Sequence, residues 1–189
     1  MRTLIREHRR ARPVDVQSEL AEQIAARAVA FLPDEPRDVT CYSSIAGEPG
    51  TGPLIARLLA AGHRVWLPRI VGPLLAWVRV DADSAFEIGP MGIRQPVGQG
   101  VEALAFADVV LLPALAVDRF GRRLGQGGGF YDRALAGAAP LADGGPLLVA
   151  LVYDDEVLDE VPTEGHDRPV DAVVTPARTL RTGRSVLAD

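Results

Sequence analysis

Residues 108–133 read DVVLLPALAVDRFGRRLGQGGGFYDR, and this run decides the fold. Its first five residues, DVVLL, form a compact apolar stretch of the kind buried on both faces of a parallel sheet. Four glycines within five residues follow at 125, 127, 128 and 129, and a helix is expected to begin near Tyr131. Open α/β sheets place ligands beyond the carboxyl ends of their strands, which is where a strand, glycine loop and helix in this order put the loop. Glycine lets backbone N–H groups approach a ligand with no Cβ in the way, and a nest of such groups suits phosphate oxygens. Asp132 is positioned to hold a cation, and Arg122, Arg123 or Arg133 to neutralise phosphate charge. A mobile surface loop is the alternative, but it leaves the adjoining aromatics, acid and arginines without a purpose.

Elsewhere the same alternation recurs. Apolar residues at Val16, Leu20, Ile24, Ala28 and Phe31 predict an amphipathic helix over 15–32. A β-prone run at 39–43 follows, then a helix over 51–61 capped by Thr51, with Pro53 in its first turn and Gly62 at its end. Strands are expected at 64–67, 74–80, 147–152 and 172–174, with 89–100 irregular and 137–146 a surface loop. Strands alternating with helices indicate an α/β layered domain with a largely parallel sheet. No linker divides the chain, so residues 1–189 are expected to form a single domain.

The chain has 189 residues and a net charge of −5, which argues against gripping nucleic acid as its main task and favours a small-molecule partner. All 20 residues counted as Lys+Arg are arginines, which removes the Walker A lysine and Schiff-base chemistry at once. Cys41 is the only cysteine, no apolar run reaches membrane-spanning length, and no signal peptide opens the chain; a cytoplasmic protein is expected. Trp66 and Trp77 lie in strand patterns and read as core or partly buried residues, while His8 and His63 receive no role.

The run PALAVDRFGRRLGQGGGFYDR at 113–133 resembles the signature of 5-formyltetrahydrofolate cyclo-ligases, also called methenyltetrahydrofolate synthetases. The resemblance extends over nearly the whole chain, through the early arginine-rich helix, YSSIAGEPGT at 42–51, Leu67-Pro68-Arg69, Gly92-Ile93, Gln95-Pro96, and His166-Asp167 followed by Pro169, Val170 and Asp171. It implies a three-layer α/β/α fold similar to the NagB/RpiA/CoA-transferase-like fold. It also implies an enzyme that uses ATP and Mg2+ to convert 5-formyltetrahydrofolate into 5,10-methenyltetrahydrofolate, with no nucleic-acid or membrane partner, acting as a monomer or weak homodimer.

Carried over by motif, the ATP-contacting loop falls on Arg123, Leu124, Gly125, Gln126, Gly127, Gly128, Gly129, Phe130 and Tyr131. Its stretch from Gln126 to Phe130 also meets the folate. Arg123 and Tyr131 are implied as the catalytic pair, Asp132 and Asp167 as magnesium ligands, and Glu48 with Ser43 as the folate-recognising positions. From the residues alone, Asp132 also reads as an acid of the first helical turn and Glu48 as a loop acid between Gly47 and Pro49. His166 carries an imidazole, a group capable of acid or base work, and is read as a structural or loop residue.

The family pattern opens with a lysine followed three and four residues later by Leu-Arg, both cations contacting ATP. The preferred register, because it is gapless, places Met1-Arg2 on the Leu-Arg pair; a second register, which requires a deletion before Pro13, places Arg2 and Arg6 on the lysine and arginine. Phe130 stands where tyrosine is usual, and Val117 where an aromatic commonly precedes the aspartate. Two rivals remain open from the sequence: a sugar-phosphate isomerase or acyl-transfer enzyme of similar fold, and a non-catalytic folate- or nucleotide-binding protein.

Overall fold

The computed structural model describes residues 1–163 and 168–183. The chain opens with two helices, α1 (Arg2–Ala11) and α2 (Val14–Phe31), before β1 (Asp38–Thr40), α3 (Gly52–Ala60), β2 (Arg64–Val71) and β3 (Leu74–Val80). Short strands β4 (Phe86–Ile88) and β5 (Arg94–Pro96) precede β6 (Val109–Pro113), β7 (Ala116–Asp118), β8 (Arg123–Leu124) and α4 (Phe130–Leu135). The remainder is β9 (Leu147–Leu151), β10 (Val157–Leu158), β11 (Ala172–Val174) and β12 (Thr179–Arg181). Pro13 separates the first two helices: the residue before a proline avoids helical backbone, and Arg12 is accordingly extended.

Seven strands form one sheet in the order β12-β11-β9-β6-β1-β2-β3. The five inner strands are parallel, and β12 and β3 run antiparallel at the edges. Because successive side chains of a strand point to opposite faces, β6 divides between two cores. Val109 and Leu111 join Ile24, Ala25 and Ala28 of α2 and Leu54 and Leu58 of α3. Val110 and Leu112 join Leu148, Ala150 and Val173, beneath Leu135 and Tyr131 of α4. The apolar run thus forms a strand buried on both faces, as expected, and each large side chain removed from water contributes about 1.5–3 kcal/mol.

The order of the strands positions the site. From β1 the chain passes through α3 to β2 on one side, whereas β6 lies on the other side of β1 and continues through α4 to β9. These crossovers move in opposite directions with their helices on opposite faces, as right-handed connections require. The chain therefore diverges between β1 and β6 and opens a crevice at their carboxyl ends.

Helix α1 is attached by polar contacts more than by apolar burial. Arg9 is its one buried residue; Nε and Nη2 donate to the two Glu156 oxygens at 2.7 and 2.8 Å, and Nη2 also donates to the Ala114 carbonyl at 2.7 Å. Arg12 lies over the Tyr153 ring at 3.9 Å. The helix is thereby fastened to the segments that follow β6 and β9.

Some local expectations change. The buried stripe of α2 is Ala21, Ile24, Ala25 and Ala28, whereas Val16 is exposed. Strand β2 runs on to Val71 and forms a hairpin with β3 around Gly72, whose φ of 58° suits the turn. The stretch 89–100 contains β5, paired with β4 in a separate two-stranded sheet. Thr51 precedes α3, but its hydroxyl donates to the Tyr42 carbonyl at 2.6 Å instead of capping the helix. Among the described residues no helix is long and apolar enough to cross a membrane.

Candidate active site

The glycine loop leaves β8, which is held antiparallel to β7, and ends at Gly129, the N-cap of α4. Gly127 and Gly129 have φ of 100° and 65°, in the left-handed region where a side chain strains the backbone. Gly125 differs: its φ is ordinary and an added Cβ meets nothing within 4 Å, so the fold itself sets no requirement for glycine there. Arg2 Nε donates to the Gly125 carbonyl at 3.0 Å, and Arg6 Nη2 donates to the Gln126 carbonyl at 2.7 Å. In a trans peptide the N–H opposes the C=O, so these contacts turn the N–H groups of Gln126 and Gly127 away from α1. The N–H groups of Gln126, Gly127, Gly128 and Gly129 donate to no acceptor among the described residues.

The loop forms one wall of a cavity of about 320 Å³ at the carboxyl ends of β1 and β6. Tyr42, Ser43 and Glu48, from the segment after β1, form a second wall, and Pro68 and Ile70 of β2 a third. Glu48 is buried. Its Oε2 accepts from the Ile45 N–H at 3.1 Å, its Oε1 from Gln126 Nε2 at 3.1 Å, and its carbonyl from the Tyr153 hydroxyl at 3.2 Å. Burial pushes the Glu48 carboxyl above its ordinary value, while the donors at Ile45 and Gln126 and the charge of Arg9 act in the opposite direction. The preceding turn requires glycine: Gly47 has a φ of 84°, and a Cβ there lies 3.2 Å from the Cβ of Arg9.

Arg123 is buried and donates from Nη2 to Oδ1 of Asp132, which is half-buried at the cavity wall. Asp132 lies in the first turn of α4 without capping it. The Tyr131 hydroxyl is buried without a hydrogen-bond partner among the described residues, and burial holds its phenol well above the ordinary range. The Tyr131 ring stands edge-on to buried Trp77 with centroids 6.1 Å apart. Among the described residues there is no group of three or more His, Cys, Asp or Glu side chains placed to hold a metal. Asp132 therefore offers one carboxylate; Asp167 and His166 lie outside the described residues.

The structure brings Arg123, Tyr131, Asp132, Ser43, Glu48, Phe130 and the glycine loop to one cavity, with Arg2 and Arg6 bonded to the loop from outside it. Of the three arginines flanking the loop, only Arg123 lines the cavity. Arg122 Nε donates to Asp118 at 2.6 Å, and Arg133 donates to the carbonyls of Pro73 and Gly128 at 3.0 Å. Other contributors were given no site role from the sequence. Gln95 is buried in the cavity wall, accepting from the Ile70 N–H and donating to Glu87, both at 3.1 Å. Met91 lines the rim with a φ of 59°, flanked by Pro90 and Gly92, the sole local sign of a tight turn. The Arg9–Glu156 pair joins residues 147 positions apart, which no local pattern announces.

Comparison with known proteins extends the resemblance to measured similarity. The model of the 5-formyltetrahydrofolate cyclo-ligase family matches residues 1–176. The chain is 39% identical to a 5-formyltetrahydrofolate cyclo-ligase of Mycolicibacterium smegmatis over 95% of this chain and 94% of that one. It is 34% identical to a 5-formyltetrahydrofolate cyclo-ligase of Escherichia coli over 93% and 98% of the two chains. The structure of Aquifex aeolicus 5,10-methenyltetrahydrofolate synthetase is similar with a TM-score of 0.78 at 29% identity, covering 99% of this chain and 94% of that one. The shared fold, the matched family model and relatives aligned along almost their full length lead to one conclusion: this chain belongs to the 5-formyltetrahydrofolate cyclo-ligase family.

Proposed function

We propose that this protein is an ATP-dependent ligase that cyclises 5-formyltetrahydrofolate to 5,10-methenyltetrahydrofolate, releasing ADP and phosphate. The observation that carries it is the meeting, in one cavity, of a glycine loop with four uncommitted N–H groups and the buried acid Glu48. An N-formyl amide is a poor electrophile, since its nitrogen donates into the carbonyl, and its oxygen is a poor leaving group. Transfer of the γ-phosphoryl group to that oxygen makes an activated imidate and releases ADP. N10 then attacks the formyl carbon and gives up its proton, and the C–O bond breaks as phosphate leaves. The attack is intramolecular, so the protein's task is to orient the groups and stabilise charge.

The residues divide that task. The loop N–H groups and Arg123 hold phosphate oxygens, and the open space beside Gly125 is where a Cβ would crowd them. Tyr131 borders the nucleotide. Glu48 accepts hydrogen bonds from the pterin's amino and ring N–H donors, with Ser43 beside it on the same wall. A volume of about 320 Å³ suits the reacting ends of the two substrates, with the remainder of each lying outside. Among the described residues the Asp132 carboxylate accepts one hydrogen bond, from Arg123, so Asp132 would be the protein residue to hold magnesium, a hard cation suited to an oxygen ligand. When bound, it neutralises charge on the transferred phosphoryl group.

Mixing the protein with ATP, magnesium and 5-formyltetrahydrofolate is expected to raise the near-ultraviolet absorbance of the methenyl product, with one ADP per turnover. Absence of product at high enzyme concentration overturns the proposal.

A further inference from the structure

Arg6, Gln126 and Glu48 form a continuous hydrogen-bonded chain. Arg6 Nε donates to Gln126 Oε1 at 3.1 Å, and Gln126 Nε2 donates to Glu48 Oε1 at 3.1 Å. Arg6 also donates to the backbone carbonyl of Gln126 at 2.7 Å. A carboxamide has one accepting end and one donating end, whereas guanidinium only donates and carboxylate only accepts. The neighbours therefore fix which way the amide faces: turning it over sets NH2 against guanidinium and oxygen against carboxylate.

Gln126 thus belongs to both ends of the cavity. Its own N–H is one of the uncommitted loop donors, and its side chain terminates on the acid of the opposite wall. A triphosphate held by the loop N–H groups orders the backbone of this residue, and with it the reach of its amide to Glu48. A folate donor accepted by Glu48 orders the same amide from the other side. Each ligand therefore favours the same placement of this residue, and whichever binds first raises the share of molecules ready for the other.

We infer that Gln126 is a positioning residue that couples the nucleotide and folate ends of the cavity, so that each ligand tightens the other. The inference rests on the function proposed above. Calorimetry of the full-length protein tests it, titrating 5-formyltetrahydrofolate with and without a non-hydrolysable ATP analogue and magnesium, then in the reverse order. In the wild type each ligand is expected to improve the other's affinity by about fivefold or more, by the same factor in both orders, since coupling is reciprocal.

Gln126→Met keeps the length of the side chain and removes both hydrogen bonds; the factor is expected to fall to near one while each ligand alone still binds. Arg6→Met breaks the chain at its other end and is expected to abolish the coupling too, a ratio that does not depend on how weakly the nucleotide then binds. Thermal melts of both variants establish that the fold is retained. A wild-type factor of one, or a factor unchanged in folded Gln126→Met, overturns the inference alone. Failure of the wild type to bind either ligand overturns the proposed function and the inference together.

Discussion

The Arg9–Glu156 pair and the Arg123–Asp132 pair differ in how many bonds they make and in what surrounds them. Arg9 and Glu156 are each 3% exposed. The guanidinium donates to both carboxylate oxygens and to the Ala114 carbonyl, and Glu156 Oε2 also accepts from the Tyr153 N–H at 2.9 Å. Arg123 and Asp132 share one hydrogen bond, and Asp132 is 27% exposed at the wall of the cavity. The first pair binds α1 to the segments after β6 and β9 through Nε and Nη2, while Arg9 Nη1 lies buried with no hydrogen-bond partner among the described residues. The second leaves carboxylate capacity unspent beside the loop. A pair joined by two hydrogen bonds and closed off from solvent maintains geometry; a half-open one is able to exchange its partner for a ligand.

The largest effect is expected where the closed pair is broken. Glu156→Ala leaves Arg9 charged and uncompensated in the interior, and about 3–5 kcal/mol of stability is expected to be lost in denaturant unfolding. An equally large loss from Asp132→Ala, measured the same way, erases the distinction between the two pairs. Asp132→Ala removes the one carboxylate bonded to buried Arg123 and is expected to cost less, about 1–3 kcal/mol, while reducing turnover by about 100-fold or more, the usual cost of one electrostatic group at a phosphoryl transfer.

Gly125→Ala sharpens the comparison on the loop side. Because an added Cβ meets no protein atom, stability is expected to stay within about 0.5 kcal/mol of the wild type while the KM for ATP rises. The smallest effect concerns Glu48. Its folded pKa is raised by burial, so its contribution to stability is fully present below the unfolded value and is lost as pH rises through the folded one. The melting temperature of the wild type relative to Glu48→Gln is therefore expected to fall as pH rises above the ordinary carboxylate range. A difference that stays constant as pH rises breaks the assignment of Glu48 as an acid with a raised pKa.

What was legible in the sequence follows from the range of the interactions. Residues 108–112 announced a strand buried on both faces because period and composition are local properties, and the same holds for β3 and β11, whose expected bounds match. The glycine loop and Asp132 were legible because one short run carries them all. Strands β7, β8 and β10 span two or three residues, too few to show a period, and form through pairing with distant segments. The partners of Arg2 and Arg6 lie more than a hundred positions away, so the choice between two registers of the N-terminal motif rested on avoiding a gap alone; the structure directs both side chains to the glycine loop. Gln95 is buried through bonds to Ile70 and Glu87 that depend on two separate sheets meeting, which no spacing along the chain records.

The edge-on contact between Trp77 and Tyr131 has an experimental use. Tyr131 directly precedes Asp132 in the helix that the glycine loop leads into, so Trp77 is an intrinsic optical probe of that loop. The other tryptophan, Trp66, donates to Asp38 at 2.9 Å and packs on Phe106 at 5.1 Å between ring centroids, away from the cavity lining. A Trp66→Phe protein therefore emits from one place, and stopped-flow mixing with nucleotide can follow the loop in real time without an attached dye.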